Sequence, residues 1–278
     1  MTPRQTTLAR LVELGITPDT RLGQHFLVDD NIVRVAVRLA DLRDRDVVLE
    51  VGPGVGVLTH ALADACSHVH AVEIDRRLEP ALLATLGERT NVDVVYGDAL
   101  AIDLAALAPP ATAFVANLPY NVATPLVVES LGRLPLVERW AVMVQREVAD
   151  RFFAQPATPA YGGVSVLIQL ACERTGFHRV SRSVFAPPPN VDSAIVAFRR
   201  RPGSDLEHAW PEIVRLVHGA FAHRRKTLAN SIVLAEIATR EVAEVAIAAI
   251  GLGPRVRAEE LQPPQFPVLA AELRRARG

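Results

Sequence analysis

The tetrapeptide Asn117-Leu118-Pro119-Tyr120 follows a short apolar run, well downstream of a glycine loop, Gly52-Pro53-Gly54-Val55-Gly56. An amide oxygen and a main-chain carbonyl beside an aromatic face suit the amino group of a planar base. The nitrogen of an aminopurine is a poor nucleophile, because its lone pair is delocalised into the ring. Hydrogen bonds from its protons to the Asn117 side-chain oxygen and to a main-chain carbonyl near Leu118 or Pro119 favour a pyramidal nitrogen with a localised pair. Pro119 stiffens that carbonyl by fixing its own φ and restraining the residue before it. Tyr120 offers a flat face, and stacking a base on an aromatic is worth roughly 1–3 kcal/mol. Asn and Pro are also ordinary turn residues, but here all four positions have a use. With the glycine loop, they point to methylation of a base.

The loop supports the other half of that chemistry. Gly52 and Gly54 let the backbone pass close to a ligand where a Cβ would collide. Their spacing is not that of the dinucleotide fingerprint. Glu73, at the end of the next apolar run, is placed to accept both hydrogen bonds of a ribose diol. Asp98, closing a third run, can receive an exocyclic amino group. No phosphate-binding Lys follows the loop and no Ser or Thr is placed for a magnesium ion, which argues against a P-loop nucleotide hydrolase. A ligand with a ribose and an adenine but no phosphate fits, and S-adenosyl-L-methionine is such a cofactor. Its methyl is already activated, so alignment and electrostatics suffice and no strong general base is needed.

These residues need strands to deliver them to one edge of a sheet. Val47 to Val51, His68 to Ile74, Val92 to Tyr96 and Thr112 to Ala116 read as buried parallel strands. Leu58, Leu62 and Ala65 mark a helix after the glycine loop. Further strands are expected at Trp140 to Gln145, Val164 to Ala171 and Val191 to Phe198. Pro202-Gly203-Ser204 reads as a linker. Helices follow at Trp210 to Ala222, Arg225 to Ala235, Glu241 to Ile250 and Val268 to Arg275, with Gly251-Leu252-Gly253-Pro254 as a stop. The expected organisation is a doubly wound α/β sheet domain over 1–202 and a small all-helical domain over 203–278.

Taken in order, Gly23-Gln24-His25-Phe26-Leu27, the glycine loop, Val72-Glu73-Ile74-Asp75, Gly97-Asp98-Ala99, Asn117-Leu118-Pro119-Tyr120-Asn121, Gln145-Arg146-Glu147-Val148, Tyr161-Gly162, Phe185-Ala186-Pro187-Pro188-Pro189-Asn190-Val191-Asp192-Ser193-Ala194 and Arg224-Arg225-Lys226-Thr227 form an ordered set over nearly the whole chain. In these motifs the chain resembles the ribosomal RNA adenine dimethyltransferase family, most closely its small-subunit branch. The resemblance implies a Rossmann-like S-adenosylmethionine-dependent methyltransferase sheet followed by a helical RNA-binding domain. It also implies dimethylation of N6 on two adjacent adenines in a hairpin near the 3' end of small-subunit ribosomal RNA, linked to subunit biogenesis. By the same resemblance His25, Leu27, Gly52, Glu73, Asp98 and Asn117 contact the methyl donor, and Phe185 sandwiches the target base against Tyr120. His25 stands where the family often has Asn, and Gly163 where many relatives carry Arg. On chemistry alone, Phe185 reads equally well as a buried loop anchor, and Gln24-His25-Phe26-Leu27 reads better as the start of an amphipathic helix.

The net charge of −1 is a poor footprint for an RNA-binding protein as a whole. Its distribution matters more. Arg174 to Lys226 holds ten Arg or Lys against Asp192, Asp205, Glu207 and Glu212. Arg224, Arg225 and Lys226, beside a family motif, are the expected RNA contacts, since guanidinium binds phosphate in bidentate fashion. Arg274-Arg275 reads as a solvated face. The remaining histidines, His60, His68, His70, His178, His208, His218 and His223, show no metal-ligand spacing with Cys or acids, so no metal is expected. Only Cys66 and Cys172 are present, with no CxxC, and there is no apolar run of membrane-spanning length and no signal-peptide pattern. A cytoplasmic, monomeric enzyme is expected, acting on a pre-assembled small ribosomal subunit. The rival readings are a large-subunit adenine dimethylase of the macrolide-resistance type and an assembly factor that binds immature small subunits.

Overall fold

The computed structural model describes residues 11–19, 22–202, 209–223 and 225–277. The chain divides into two compact units, Met1–Ala149 with Arg174–Arg200, and Asp150–Glu173 with Arg201–Gly278. The expected boundary at 202/203 falls close to the division after Arg200. Residues Asp150–Glu173, expected in the sheet domain, group instead with the helical unit. The residues 203–204 of the expected linker lie outside the described residues.

The first unit is built on a seven-stranded sheet. Its strands are β2 (Val47–Val51), β3 (His68–Glu73), β4 (Val92–Tyr96), β5 (Ala113–Asn117), β6 (Arg139–Gln145), β7 (Cys172–Val180) and β9 (Ser193–Arg200), in the order β4-β3-β2-β5-β6-β9-β7. Pairs from β4 through β6 are parallel, and β9 runs antiparallel to β6. The order reverses between β2 and β5, which is where open α/β sheets bind ligands at their carboxyl ends. All residues of β2 are buried, as its continuous β-branched run requires. A short pair, β1 (Phe26–Leu27) with β8 (Phe185–Ala186), lies outside the main sheet. The Gln24 to Leu27 segment is therefore not a helix start, since Phe26–Leu27 is strand β1.

Helix α1 (Asp30–Ala40) is capped by Asp29, whose side chain accepts from the Asn31 and Ile32 N–H groups, and ends at Asp41 in the left-handed region. It lays Val33, Ala36 and Ala40 into a core shared with Val48, Leu62, Val115, Met143 and Ile195. Helices α2 (Val57–Ala63), α3 (Glu79–Leu86) and α4 (Ala123–Arg133) are the crossovers between parallel strands. At the amino ends of the strands, Asp46 and Arg139 form a buried ion pair at 2.5 Å. Asp46 also accepts from Thr112 Oγ1 at 3.1 Å and from the Arg43 N–H at 2.6 Å. This ties β2, β5 and β6 together. Cys66 and Cys172 are both buried and form no disulfide with one another.

The second unit is helical, with α6 (Gly163–Ala171), α7 (Trp210–Phe221), α8 (Leu228–Leu234), α9 (Arg240–Ala249) and α10 (Gln265–Arg275); α5 (Arg146–Phe152) crosses the division. The expected strand at Val164 to Ala171 is this helix α6. A run that is apolar throughout does not separate strand from helix by periodicity. Locally, the Gly162 N–H donates to Ser165 Oγ at 3.1 Å, which starts a helix. The strand lies just beyond, at β7. Phe221 stacks on Phe266 at 6.0 Å, and the buried Tyr161 hydroxyl donates to the Leu261 carbonyl at 2.7 Å. Thr227 and Thr239 cap α8 and α9. No helix among the described residues is long and apolar enough to cross a membrane.

Strands β3 and β4 bring together three groups that show no metal-ligand spacing along the chain. His68, His70 and Asp93 bring ligand atoms within 4.8 Å of one another. The signal was a His-x-His on a strand, which places both rings on one face, but its acid comes from the neighbouring strand and is not adjacent in sequence.

Candidate active site

The carboxyl ends of β2, β3, β4 and β5 surround a cavity of about 1060 Å³ including its open mouth. His25, Leu27, Gly52, Gly54, Glu73, Asp98, Asn117, Leu118, Pro119 and Tyr120 all line it.

The glycine loop turns against the tetrapeptide. Gly52 has φ +75°, and a Cβ there would meet the Pro119 ring at 3.4 Å. Gly54 has φ +61°, and a Cβ would meet the Phe26 ring at 3.0 Å. Both glycines are thus required by their positive φ, and Gly54 also by the close approach of Phe26. Gly54 donates its N–H to Glu73 Oε2 at 3.0 Å, and Asp75 donates its N–H to Glu73 Oε1 at 2.9 Å. Glu73 is buried, which pushes its carboxyl up, while the two main-chain donors pull it back. Each oxygen keeps a lone pair for a diol. Asp98 is exposed at the rim, and its Oδ1 accepts from the Leu100 N–H at 2.9 Å.

Sequence reasoning passed over Glu50. It lines the cavity at 1% exposure, and burial pushes its carboxyl up to about 8, with the Glu73 charge adding to the shift and the Thr59 hydroxyl opposing it. Its Oε2 has no hydrogen-bond partner. A buried acid facing a cavity is a costly arrangement that a cationic ligand relieves. The signal was present as the one acid inside the apolar run of β2. Ile74, half exposed at 51%, also lines the cavity and supplies apolar surface beside Glu73.

The segment Gly23 to Asp29, the entrance segment, lies along the cavity and is held at several points. Gln24 donates to Asp75 Oδ2 at 2.7 Å and accepts from the Asp19 N–H through Oε1. Arg77 grips the same Asp75 carboxylate with two donors and, with Gln24, holds it down at about 2. Asn117 donates from Nδ2 to the His25 carbonyl at 3.2 Å, which leaves Oδ1 as its acceptor. The His25 ring lies 5.5 Å from the Tyr120 ring at 30°, and its Nδ1 sits 2.8 Å from the Pro187 carbonyl. Tyr120 is half-buried, with its hydroxyl 2.7 Å from Ser193 Oγ. The Pro119 carbonyl accepts from the Val122 N–H, so the Leu118 carbonyl is the better-placed second acceptor for an amine.

Phe185 is not in this cavity. It is 0% exposed, pairs with Leu27 across β1 and β8, and packs in the core with Val33 and Ile195. Phe185, expected as the partner face for a base, is placed here as the loop-anchor reading has it, with no face of its ring open. In the second unit Arg225 and Lys226 are exposed at the turn between α7 and α8, and Arg224 lies outside the described residues. The Arg199-Arg200-Arg201 cluster is in part structural. Arg200 donates to the carbonyls of Leu131, Leu134 and Val137, and Arg201 to those of Gln169 and Cys172.

The residues present fit S-adenosylmethionine. Positive-φ glycines turn the loop along the cavity, a carboxylate with lone pairs to spare stands at the end of β3, and two buried acids, Glu50 and Glu73, line a space that suits a ligand carrying positive charge. Fold and cavity define the class: an α/β methyltransferase dependent on S-adenosylmethionine. The model of the family described as ribosomal RNA adenine dimethylase matches residues 17–274, and the chain belongs to that family. A ribosomal RNA small subunit methyltransferase A from Rubrobacter xylanophilus is 48% identical over 252 residues, covering 91% of this chain and 94% of the relative. The protein of the same name from Kineococcus radiotolerans is 45% identical over 263 residues, covering 93% and 87%. Among solved structures, a dimethyladenosine transferase from Plasmodium falciparum superposes with a TM-score of 0.76 at 25% identity, over 91% of this chain and 98% of that one. The 23S rRNA methyltransferase ErmE gives 0.64 at 31% identity, over 90% and 99%.

Proposed function

We propose that this enzyme transfers two methyl groups to N6 of each of two adjacent adenines in a hairpin near the 3' end of small-subunit ribosomal RNA, on a pre-assembled subunit in the cytoplasm, as a monomer. The observation that carries the reading is Asn117 at the cavity lip. Its Nδ2 is committed to the His25 carbonyl, so Oδ1 is oriented as an acceptor. When bound, S-adenosylmethionine supplies a methyl on a sulfonium leaving group. Asn117 Oδ1 and the Leu118 carbonyl accept the protons of N6 and localise its lone pair toward that methyl. Tyr120, fixed through Ser193, offers the ring against which an unstacked adenine rests. With the cofactor bound, these two acceptors would hold N6 with its lone pair toward the activated methyl, and the amine proton released on transfer would pass to water. A monomethylated amine still has one proton for these acceptors, so the second transfer uses the same site. Glu73 and Asp98 hold ribose and adenine of the donor, and Arg225 and Lys226, with Arg224, bind RNA phosphates.

The ErmE likeness keeps the large-subunit reading in view, and the identity of the curated relatives favours the small subunit. Transfer of labelled methyl to undermethylated small subunits, large subunits and free ribosomal RNA, followed by nucleoside mass spectrometry, tests the choice. Dimethyladenosine formed on small subunits alone is the expected result. Methylation of large-subunit RNA would assign the chain to the resistance type, and tight subunit binding without transfer would make it an assembly factor.

A further inference from the structure

One edge of the sheet carries a cluster remote from the cavity in the strand register. His68 opens β3, and His70, two residues on, projects from the same sheet face. Asp93, on the edge strand β4, is the register partner of His70. All three stand toward the amino ends of parallel strands whose carboxyl ends form the cavity.

The state of the His70 ring follows from its neighbours. Its Nε2 lies 2.8 Å from the Pro109 carbonyl. A carbonyl only accepts, so Nε2 holds the proton and Nδ1 of the neutral ring holds a lone pair. That Nδ1 is buried with no hydrogen-bond partner, in a residue 1% exposed. Interior polar atoms are rarely left so. It faces Asp93 Oδ2 at 3.8 Å, while His68 Nε2 lies 3.0 Å from the same oxygen. The longer distance is beyond hydrogen bonding. It is close to the separation of two ligands across an ion, since donors about 2.0–2.1 Å from a tetrahedral metal stand about 3.3 Å apart.

We propose that His68 Nε2, His70 Nδ1 and Asp93 Oδ2 form a binding site for a divalent transition-metal ion of the zinc class. Two imidazole nitrogens and one carboxylate oxygen suit Zn²⁺ better than the all-oxygen cations Mg²⁺ or Ca²⁺. The Pro109 carbonyl supplies the outer partner that orients a ligating histidine and fixes its tautomer. The Asp93 side chain is 58% exposed, so the ion reaches the site from solvent and a water completes the tetrahedron. Bound there, the ion links the edge strand, its neighbour and the segment carrying Pro109, and it takes no part in methyl transfer.

The test uses the full chain without a histidine tag, stripped with chelator and titrated with Zn²⁺ against a chromophoric chelator, and separately with Co²⁺, whose visible absorption reports tetrahedral coordination. The wild type should take up a single equivalent with a rise in Tm. His68→Gln and Asp93→Asn, at partly exposed ligands, should each weaken binding by at least the about 10–100-fold that loss of an outer partner costs. His70→Gln, at the buried ligand, should do the same, and retained S-adenosylmethionine binding certifies the fold of each variant. Absence of a stoichiometric site in the wild type would overturn the proposal. So would zinc affinity unchanged in both His68→Gln and Asp93→Asn, which would place any bound metal elsewhere.

Discussion

Replacement of Asn117 by Ala removes two interactions that can be read apart. The first is the Oδ1 acceptor for the amine, which matters as charge develops on nitrogen. By analogy with the loss of a single preorganised oxyanion-hole donor, its removal should cost about 10²–10³ in kcat, or about 2.7–4 kcal/mol. The second is the Nδ2 donor to the His25 carbonyl at 3.2 Å, a neutral hydrogen bond at a half-buried site worth about 0.5–1.5 kcal/mol. That loss falls on the entrance segment and should weaken S-adenosylmethionine by up to about tenfold. Asn117→Asp divides the two, since it keeps an acceptor but turns the donor into an oxygen facing the His25 carbonyl. Its cofactor affinity should fall at least as far as that of Asn117→Ala, while its kcat falls less. Single-turnover methyl transfer to small subunits at saturating cofactor, with calorimetric titration of cofactor, measures both. A kcat for Asn117→Ala within about fivefold of wild type would refute the acceptor role, because that is only about 1 kcal/mol of the barrier.

Asp46→Ala should destabilise the protein by about 3–5 kcal/mol in urea unfolding, because it strands the buried Arg139 guanidinium at the amino ends of β2 and β6; a cost under about 1 kcal/mol would contradict the structural role. Phe185→Ala should cost about 3–5 kcal/mol of stability as a core truncation, whereas unchanged unfolding with lost activity would restore the base-stacking role. Glu50, raised to about 8 against an ordinary 4.5, keeps its proton when folded and loses it when unfolded across that interval. Its contribution is therefore complete below about 4.5 and is lost as pH rises toward about 8, at up to about 1.4 kcal/mol per pH unit. Glu50→Gln should flatten the pH dependence of cofactor-free stability in that window, and identical slopes for both proteins would remove Glu50 as its source.

Much of the site was legible because its residues sit where strands end. The glycine loop, Glu73, Asp98 and Asn117 each close an apolar run, and parallel topology then brings those ends together without further information. Glu50 was passed over because an acid inside a strand gives no sign of facing a cavity until the neighbouring helix is placed. The choice between the two readings of Phe185 was not legible because its environment is long-range: β1 and β8, which bury it, are 158 positions apart at the Leu27 to Phe185 pairing. The helix α6 failed for the opposite reason, since its uniform apolarity fits either period. The His68, His70 and Asp93 cluster needed the β3 to β4 register, which spacing along the chain does not contain.

The proposed cofactor and base sites share one element, the entrance segment. The Leu27 to Phe185 pairing, the Val28 N–H donating to the Val184 carbonyl at 2.9 Å, and the Gln24 to Asp75 bond all involve protein groups alone. Nothing in that set requires a ligand, so the segment should be ordered before S-adenosylmethionine arrives. Hydrogen exchange of Gly23 to Asp29 in cofactor-free protein should show the Val28 amide already protected, each tenfold of protection reporting about 1.4 kcal/mol of opening free energy. Cofactor should then add protection chiefly at Gln24 and His25, which line the cavity, and little at Val28, which does not. If Val28 instead exchanges at the rate of an unstructured peptide until cofactor is added, the β1 to β8 pair forms only on binding. The Asn117 hydrogen bond to His25 would then be a consequence of cofactor binding, and the orientation of its Oδ1 would have to be supplied by the ligand.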